Sequence, residues 1–168
     1  MSKWYTWPLN QRGVLYFSDE MANGWQRLVY LVANPFAAWI ALAFVAIAAS
    51  VLLAWNHIRR VRGVHVGRDT RAGLAPLAFC VTVYALNLLP YIAVARSAFI
   101  YHYMPALLYA EITTGILISR LPDALRATAA KVVILTVFLG WVHFSPWVYA
   151  FPVLSDAHAR RRWLKGWD

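Results

Sequence analysis

The segment 96–105, RSAFIYHYMP, places a guanidinium, an imidazole and two phenols between long apolar stretches. Arg96 has the planar fork that makes bidentate hydrogen bonds to a phosphate, and Tyr101, His102 and Tyr103 add further donors. At the edge of a membrane, such a set would meet a lipid-linked phosphate. A plainer use competes with this one: Arg96 reaching lipid headgroups beside an interfacial aromatic belt. Glu111 follows about two helical turns after Tyr103 and is expected on the same helix face. An ionisable group inside a span is a functional candidate by default, although it can also be a neutral acid or be paired within a bundle. Asp19 and Glu20 are the only adjacent acids that resemble a general base. They precede the first apolar stretch with no basic or metal-binding partner near them in sequence, and read as a solvated pair. His143, Ser145 and Asp156 form no recognisable triad or metal-ligand spacing. The single Cys80 lies in an apolar run, which excludes an internal disulfide or CxxC site and leaves it a small hydrophobe.

The elements that must position these residues are membrane helices. Of the 168 residues, 61% are hydrophobic and 14% charged, whereas ordinary soluble domains run at about 45–50% and about 25%. A spanning helix needs about 20 mostly apolar residues. The stretches at 35–55, 73–95, 104–119 and 132–151 meet or approach that requirement. The first carries no charge and opens on Pro35, suited to a first helical turn. The second contains Asn87, Pro76 and Pro90, and a kink is expected near Pro90. The expected fold is therefore all-α and polytopic, with four transmembrane helices over 35–151. An external interfacial segment is expected over 1–34, too polar to span and bearing Trp4, Trp7 and Trp25. A basic, Trp-containing external tail is expected over 152–168.

The formal net charge is +9. In a soluble protein that would raise nucleic-acid binding, but here the cations cluster around the apolar stretches and no nucleic-acid motif accompanies them. They are topological signals instead. Arg59, Arg60, Arg62, Arg68 and Arg71 lie between the first two stretches, and Arg120, Arg126 and Lys131 between the last two. Short basic connections stay in the cytoplasm, which places both termini and the 96–105 segment outside. Nothing at the amino terminus resembles a cleavable signal peptide, and no internal repeat is present.

Several segments together resemble the C-terminal membrane region of the dolichyl-phosphate-mannose protein O-mannosyltransferases. SKWYTWPL resembles the family's Ser-Lys-Trp and Trp-Pro-Leu signature through Trp4, Trp7 and Pro8. ANPFAAW resembles its Asn-Pro and Trp pattern through Asn34, Pro35 and Trp39. RSAFIYHYMPAL resembles its Arg, Phe, Tyr-His-Tyr and Pro signature through Arg96, Phe99, Tyr101, His102, Tyr103 and Pro105. WLKGWD resembles its tail through Trp163 and Trp167. The resemblance implies a module of a membrane glycosyltransferase that moves mannose from a polyprenyl or dolichyl phosphate to Ser or Thr of exported proteins. It implies inversion, no cofactor beyond the lipid-phosphate donor, and an external or lumenal active site in a plasma or endoplasmic reticulum membrane. The family's catalytic Asp-Glu pair belongs to an N-terminal membrane half not represented here, so an N-terminal half or partner subunit is expected to complete the enzyme. Glu111 stands where the family pattern suggests an uncharged residue. The alternatives are a non-catalytic membrane scaffold and, less well supported without a repeat, a transporter.

Overall fold

The computed structural model describes residues 3–63, 67–94 and 98–167. The chain is mostly helical, with helices α1 (Pro35–Arg62), α2 (Arg68–Leu88), α3 (Met104–Ser119), α4 (Asp123–Tyr149) and the short α5 (Ser155–Arg161). Among the described residues, three helices are long and apolar enough to cross a membrane: α1, α4, and α2 with its 3-10 continuation. α3 has 16 residues, or about 24 Å of rise against a hydrocarbon core of about 30 Å. A 3-10 turn at Ile100–Tyr103 precedes it and lengthens the element.

The chain is mostly helical as expected, with a small sheet added to the helices. Strands β1 (Val14–Glu20), β2 (Trp25–Leu31) and β3 (Val153–Leu154) form an antiparallel sheet in the order β1-β2-β3. The amino-terminal segment is thus a hairpin joined to the tail. Its tip carries Asn23 and Gly24 at φ 63° and 76°, the left-handed backbone that Asn-Gly pairs adopt in hairpin connections. β2 turns Leu28 and Tyr30 inward, while Asp19 and Glu20 on β1 are exposed as expected. Asp19 faces Arg27 across the strand pair.

Two basic segments expected as loops are largely helix. α1 runs through Arg59, Arg60 and Arg62 to a left-handed Gly63, and α4 already begins at Asp123. Arginine is a good helix former, and cations are favoured in a last turn, where the helix dipole is negative. Hydropathy marks where the bilayer ends, and the helix continues past that point. At the other end of α2 the expected disturbance is present: the α-helix stops at Leu88 and continues as a 3-10 helix, Leu89–Ala93, that contains Pro90.

The bundle has two ends of different character. One holds the arginine-rich ends of α1 and α4 and the start of α2, where Arg120 bonds the Gly73 carbonyl. The other holds the sheet, the 3-10 turns and the tail. The main core joins Ala38, Ala41 and Val45 of α1 to Tyr84 and Leu88 of α2 and to Ala106, Leu107 and Ala110 of α3. These small residues let the helices approach closely, as membrane interfaces require. A second core gathers Leu28, Tyr30, Phe144, Trp147 and Trp167 under the sheet.

Asn34 secures α1 against α4. Its Oδ1 accepts from the Phe36 and Ala37 amides, capping α1, and its Nδ2 donates to the Val137 carbonyl at 2.8 Å. Gly140 permits this approach, since a side-chain carbon there would sit 2.6 Å from Phe36 and 2.7 Å from Asn34 Oδ1. Further out, Trp147 Nε1 donates to His158 Nδ1 at 2.9 Å, which makes His158 Nε2 the donor to the Gln26 carbonyl, also at 2.9 Å. One imidazole therefore links α4, α5 and β2. Asn10, fully buried at φ 55°, donates through Nδ2 to the Ala33 carbonyl and accepts from Trp167 Nε1 through its own carbonyl.

Two consequences are measurable. Asn34→Ala removes a helix cap and an interhelical bond, and should lower thermal stability in detergent by about 1–3 kcal/mol. His158 has its pKa held below 6.5, chiefly by burial, with Arg161 and Arg162 pushing the same way and the Gln26 bond opposing. Its neutral form is the one the fold uses, so its stabilisation is complete above 6.5 and declines as pH falls below that value. The wild-type melting temperature should therefore fall more steeply on mild acidification than that of His158→Gln.

Candidate functional site

The Ile100–Tyr103 turn stands at the aromatic end of the bundle, between the 3-10 exit of α2 and the start of α3. Its neighbour Arg96 lies outside the described residues. Pro105 occupies the first turn of α3, where its missing amide costs no hydrogen bond.

The three ring-bearing residues of the turn point in different directions. Tyr103 is fully buried, its hydroxyl 3.3 Å from that of Tyr84 in α2. It packs in the main core. Tyr101 is exposed and stacks on His102 with ring centres 4.3 Å apart. His102 is half-buried: Trp7 lies parallel to it at 6.3 Å and Tyr91 meets it edge-on at 5.5 Å. Trp7 and Tyr91 also touch at 5.0 Å, which closes an aromatic enclosure around the imidazole.

His102 Nδ1 lies 3.3 Å from the Phe99 amide and 3.1 Å from the Phe99 carbonyl, so the turn's own backbone orients the ring. Its Nε2 makes no hydrogen bond among the described residues. The ring lines an open pocket of ≈ 350 Å³ together with Leu86, Asn87, Pro90, Tyr91, Val94 and Pro105. One wall is thus a 3-10 segment and the other an imidazole with a free edge. Asn87 Nδ2 is spent on the Val83 carbonyl, one turn back. Chemically, the pocket offers a directed nitrogen, ring faces and an apolar wall that includes Val94, two residues before Arg96 in sequence.

The remaining sequence candidates divide by role. Trp7 and Pro8 are buried, and Trp7 belongs to both the core and the enclosure of His102. Trp4 packs at the edge of that core. Asn34 and Pro35 start α1. Trp167 is buried in the second core, while Trp163 is exposed and leans on Phe36 and Phe144. Glu111 lines a groove with residues of α1 and α4. Tyr91 and Asn87 were not singled out as site residues. The polar Asn87 beside a proline inside an apolar run was a usable signal, whereas Tyr91 had none beyond its type.

A family model described as the C-terminal four TMM region of protein-O-mannosyltransferase matches residues 1–167. The chain belongs to that family. It is 26% identical over 177 residues to dolichyl-phosphate-mannose–protein mannosyltransferase 1 of Saccharomyces cerevisiae, covering 97% of this chain and 20% of the relative. Against mannosyltransferase 4 of Candida albicans it is 33% identical over 111 residues, 65% of this chain and 14% of the relative. Against protein O-mannosyl-transferase 1 of Rattus norvegicus it is 28% identical over 152 residues, 83% and 20% respectively. The solved S. cerevisiae protein O-mannosyltransferase Pmt1-Pmt2 complex bound to the sugar donor has the same fold. The TM-score is 0.76 at 24% identity, over 99% of this chain and 23% of that one. The chain thus spans only 14% to 23% of the length of these relatives. It is an integral membrane protein and corresponds to the family's C-terminal membrane region.

If Trp7 shields His102, Trp7→Ala should expose the ring. Carbethoxylation of His102, followed by site-resolved mass spectrometry, should then be several-fold faster than in wild type.

Proposed function

We propose that this chain is the phosphate-side module of a protein O-mannosyltransferase, with the His102 pocket and Arg96 receiving the phosphate of a polyprenyl or dolichyl phosphate-mannose donor. The observation that carries this reading is the oriented imidazole, with Nε2 free among the described residues, on a pocket whose wall includes Val94, two residues before Arg96 in sequence. In an inverting transfer, the acceptor Ser or Thr oxygen bonds to the anomeric carbon as the bond from that carbon to the phosphate oxygen breaks. Negative charge accumulates on the departing phosphate, and a guanidinium with an imidazole donor would stabilise it. A general base must take the hydroxyl proton. Asp19 and Glu20 sit on the exposed strand β1, in a different element from the pocket, so that carboxylate is assigned to the N-terminal half or to a partner subunit.

Orientation follows from the two ends of the bundle. The basic end carries the short connections and is assigned to the cytoplasm, and the aromatic end with both termini to the lumenal or external side. The membrane is that of the endoplasmic reticulum or, in a bacterium, the plasma membrane.

A scaffold reading draws support from the burial of Trp7, Tyr103 and Trp167. Reconstitution with an N-terminal half in proteoliposomes separates the two. Arg96→Ala and His102→Ala should each reduce mannosyl transfer by about 100-fold or more while insertion is unchanged. Normal transfer by both variants, or full activity of Arg96→Lys, would favour the scaffold.

A further inference from the structure

β1 is the outermost strand of the sheet, and no described strand pairs with its free edge. Its backbone there presents N–H and C=O groups that form a template for a further strand. Lysine, proline or a very short length usually blunts such an edge, whereas β1 runs for 7 residues, VLYFSDE, with no proline and no cation. Leu15, Tyr16 and Phe17 are exposed, and so are the strand's two charges, Asp19 and Glu20. Arg27 stands opposite Asp19 on β2, but Glu20 has the neutral Gln26 as its cross-strand neighbour. A bulge between Leu15 and Phe17 leaves residues 17–20 as the regular part of the template. The other end of the strand adjoins the site: Val14 packs against the core that holds Trp7, Ile100 and Tyr103, and Trp7 lies over His102. From Val14 to Glu20 is about 20 Å of extended chain.

We propose that β1 receives the acceptor polypeptide as an added antiparallel strand, with Asp19 and Glu20 selecting a lysine or arginine about six residues ahead of the Ser or Thr to be modified. That the added strand is an acceptor rests on the mannosyl-transfer reading above; that a strand is added rests on the edge and its charge. β1 runs away from the His102 end, so an antiparallel partner runs towards it. A cation beside the two acids therefore comes first in the peptide, and a hydroxyl arrives at the site end later. Main-chain bonds supply affinity that is independent of sequence, and the acids add a preference. A second copy pairing through the same edge meets no cation there, because β1 contains none.

The test measures, by fluorescence anisotropy and without donor, the binding of a labelled peptide of about ten residues to the full chain in phosphatidylcholine nanodiscs. The peptide carries a Lys about six residues before a Thr. Two versions N-methylated at alternate residues in opposite phase should differ about tenfold in affinity, because only one phase turns its amides to β1. Replacing the Lys by Glu should weaken binding severalfold, and Asp19→Lys combined with Glu20→Lys should reverse that preference. Equal affinity of the two methylated peptides would overturn the proposal, since a peptide lying on lipid or on an apolar surface does not distinguish the phases. So would a lysine preference that the double substitution leaves unchanged, or dimerisation of the chain that excludes the peptide. Because no sugar is transferred, loss of the phosphate role assigned to His102 and Arg96 would leave this binding intact, and the two readings fail separately.

Discussion

The architecture depends on how α4 is held. A helix of 27 residues that buries side chains only between Gly140 and Trp147 gains little from lateral packing along most of its length. It is fixed by hydrogen bonds and aromatic rings at one end: Asn34 to the Val137 carbonyl, Trp147 through His158 to Gln26, and Trp167 against Phe144. In hydrocarbon there is no hydrophobic drive to bring helices together, so directional bonds and close small-residue contacts decide the arrangement. The sheet and tail are consequently part of the mechanism of assembly. They also leave the opposite two-thirds of α4 free to adjoin something else.

The same economy governs the pocket. Four aromatic or imidazole rings, from the amino-terminal turn, the 3-10 exit of α2 and the Tyr101–Tyr103 turn, stack so that each limits the others' rotation. An imidazole held by Phe99's backbone and by ring faces loses little freedom when a ligand arrives, which favours tight recognition of a small charged group. Trp7 and Tyr91 face the imidazole and, with the Phe99 backbone, limit where His102 points.

Charge-free apolar runs located α1, and Pro90 marked the point where α2 gives way to a 3-10 helix, because bilayer thickness and proline chemistry act locally. The hairpin was the main loss. Asn23-Gly24 between aromatic strands was a readable turn signal, but the tryptophans around it also fit an interfacial segment, and the latter reading was taken. Helix ends at Arg62 and Asp123 were invisible to hydropathy, which records solvent rather than backbone. His102 was legible from residue type and spacing. The inward turn of Tyr103 was not, since it depends on Tyr84 nineteen residues earlier, and neither were His158 and Asn10, which bond Gln26 and Trp167 across 132 and 157 residues of chain.

Asn10 and Trp167 are joined by a hydrogen bond of 2.7 Å across 157 residues of chain. During vectorial synthesis, helices α1 to α4 are all made before the tryptophan that completes this bond. The turn that carries Trp7 can therefore close on Trp167 only after those helices exist. A chain cut between α5 and Trp167 would keep the helices and lose the clasp, correctly threaded yet locally open at its aromatic end.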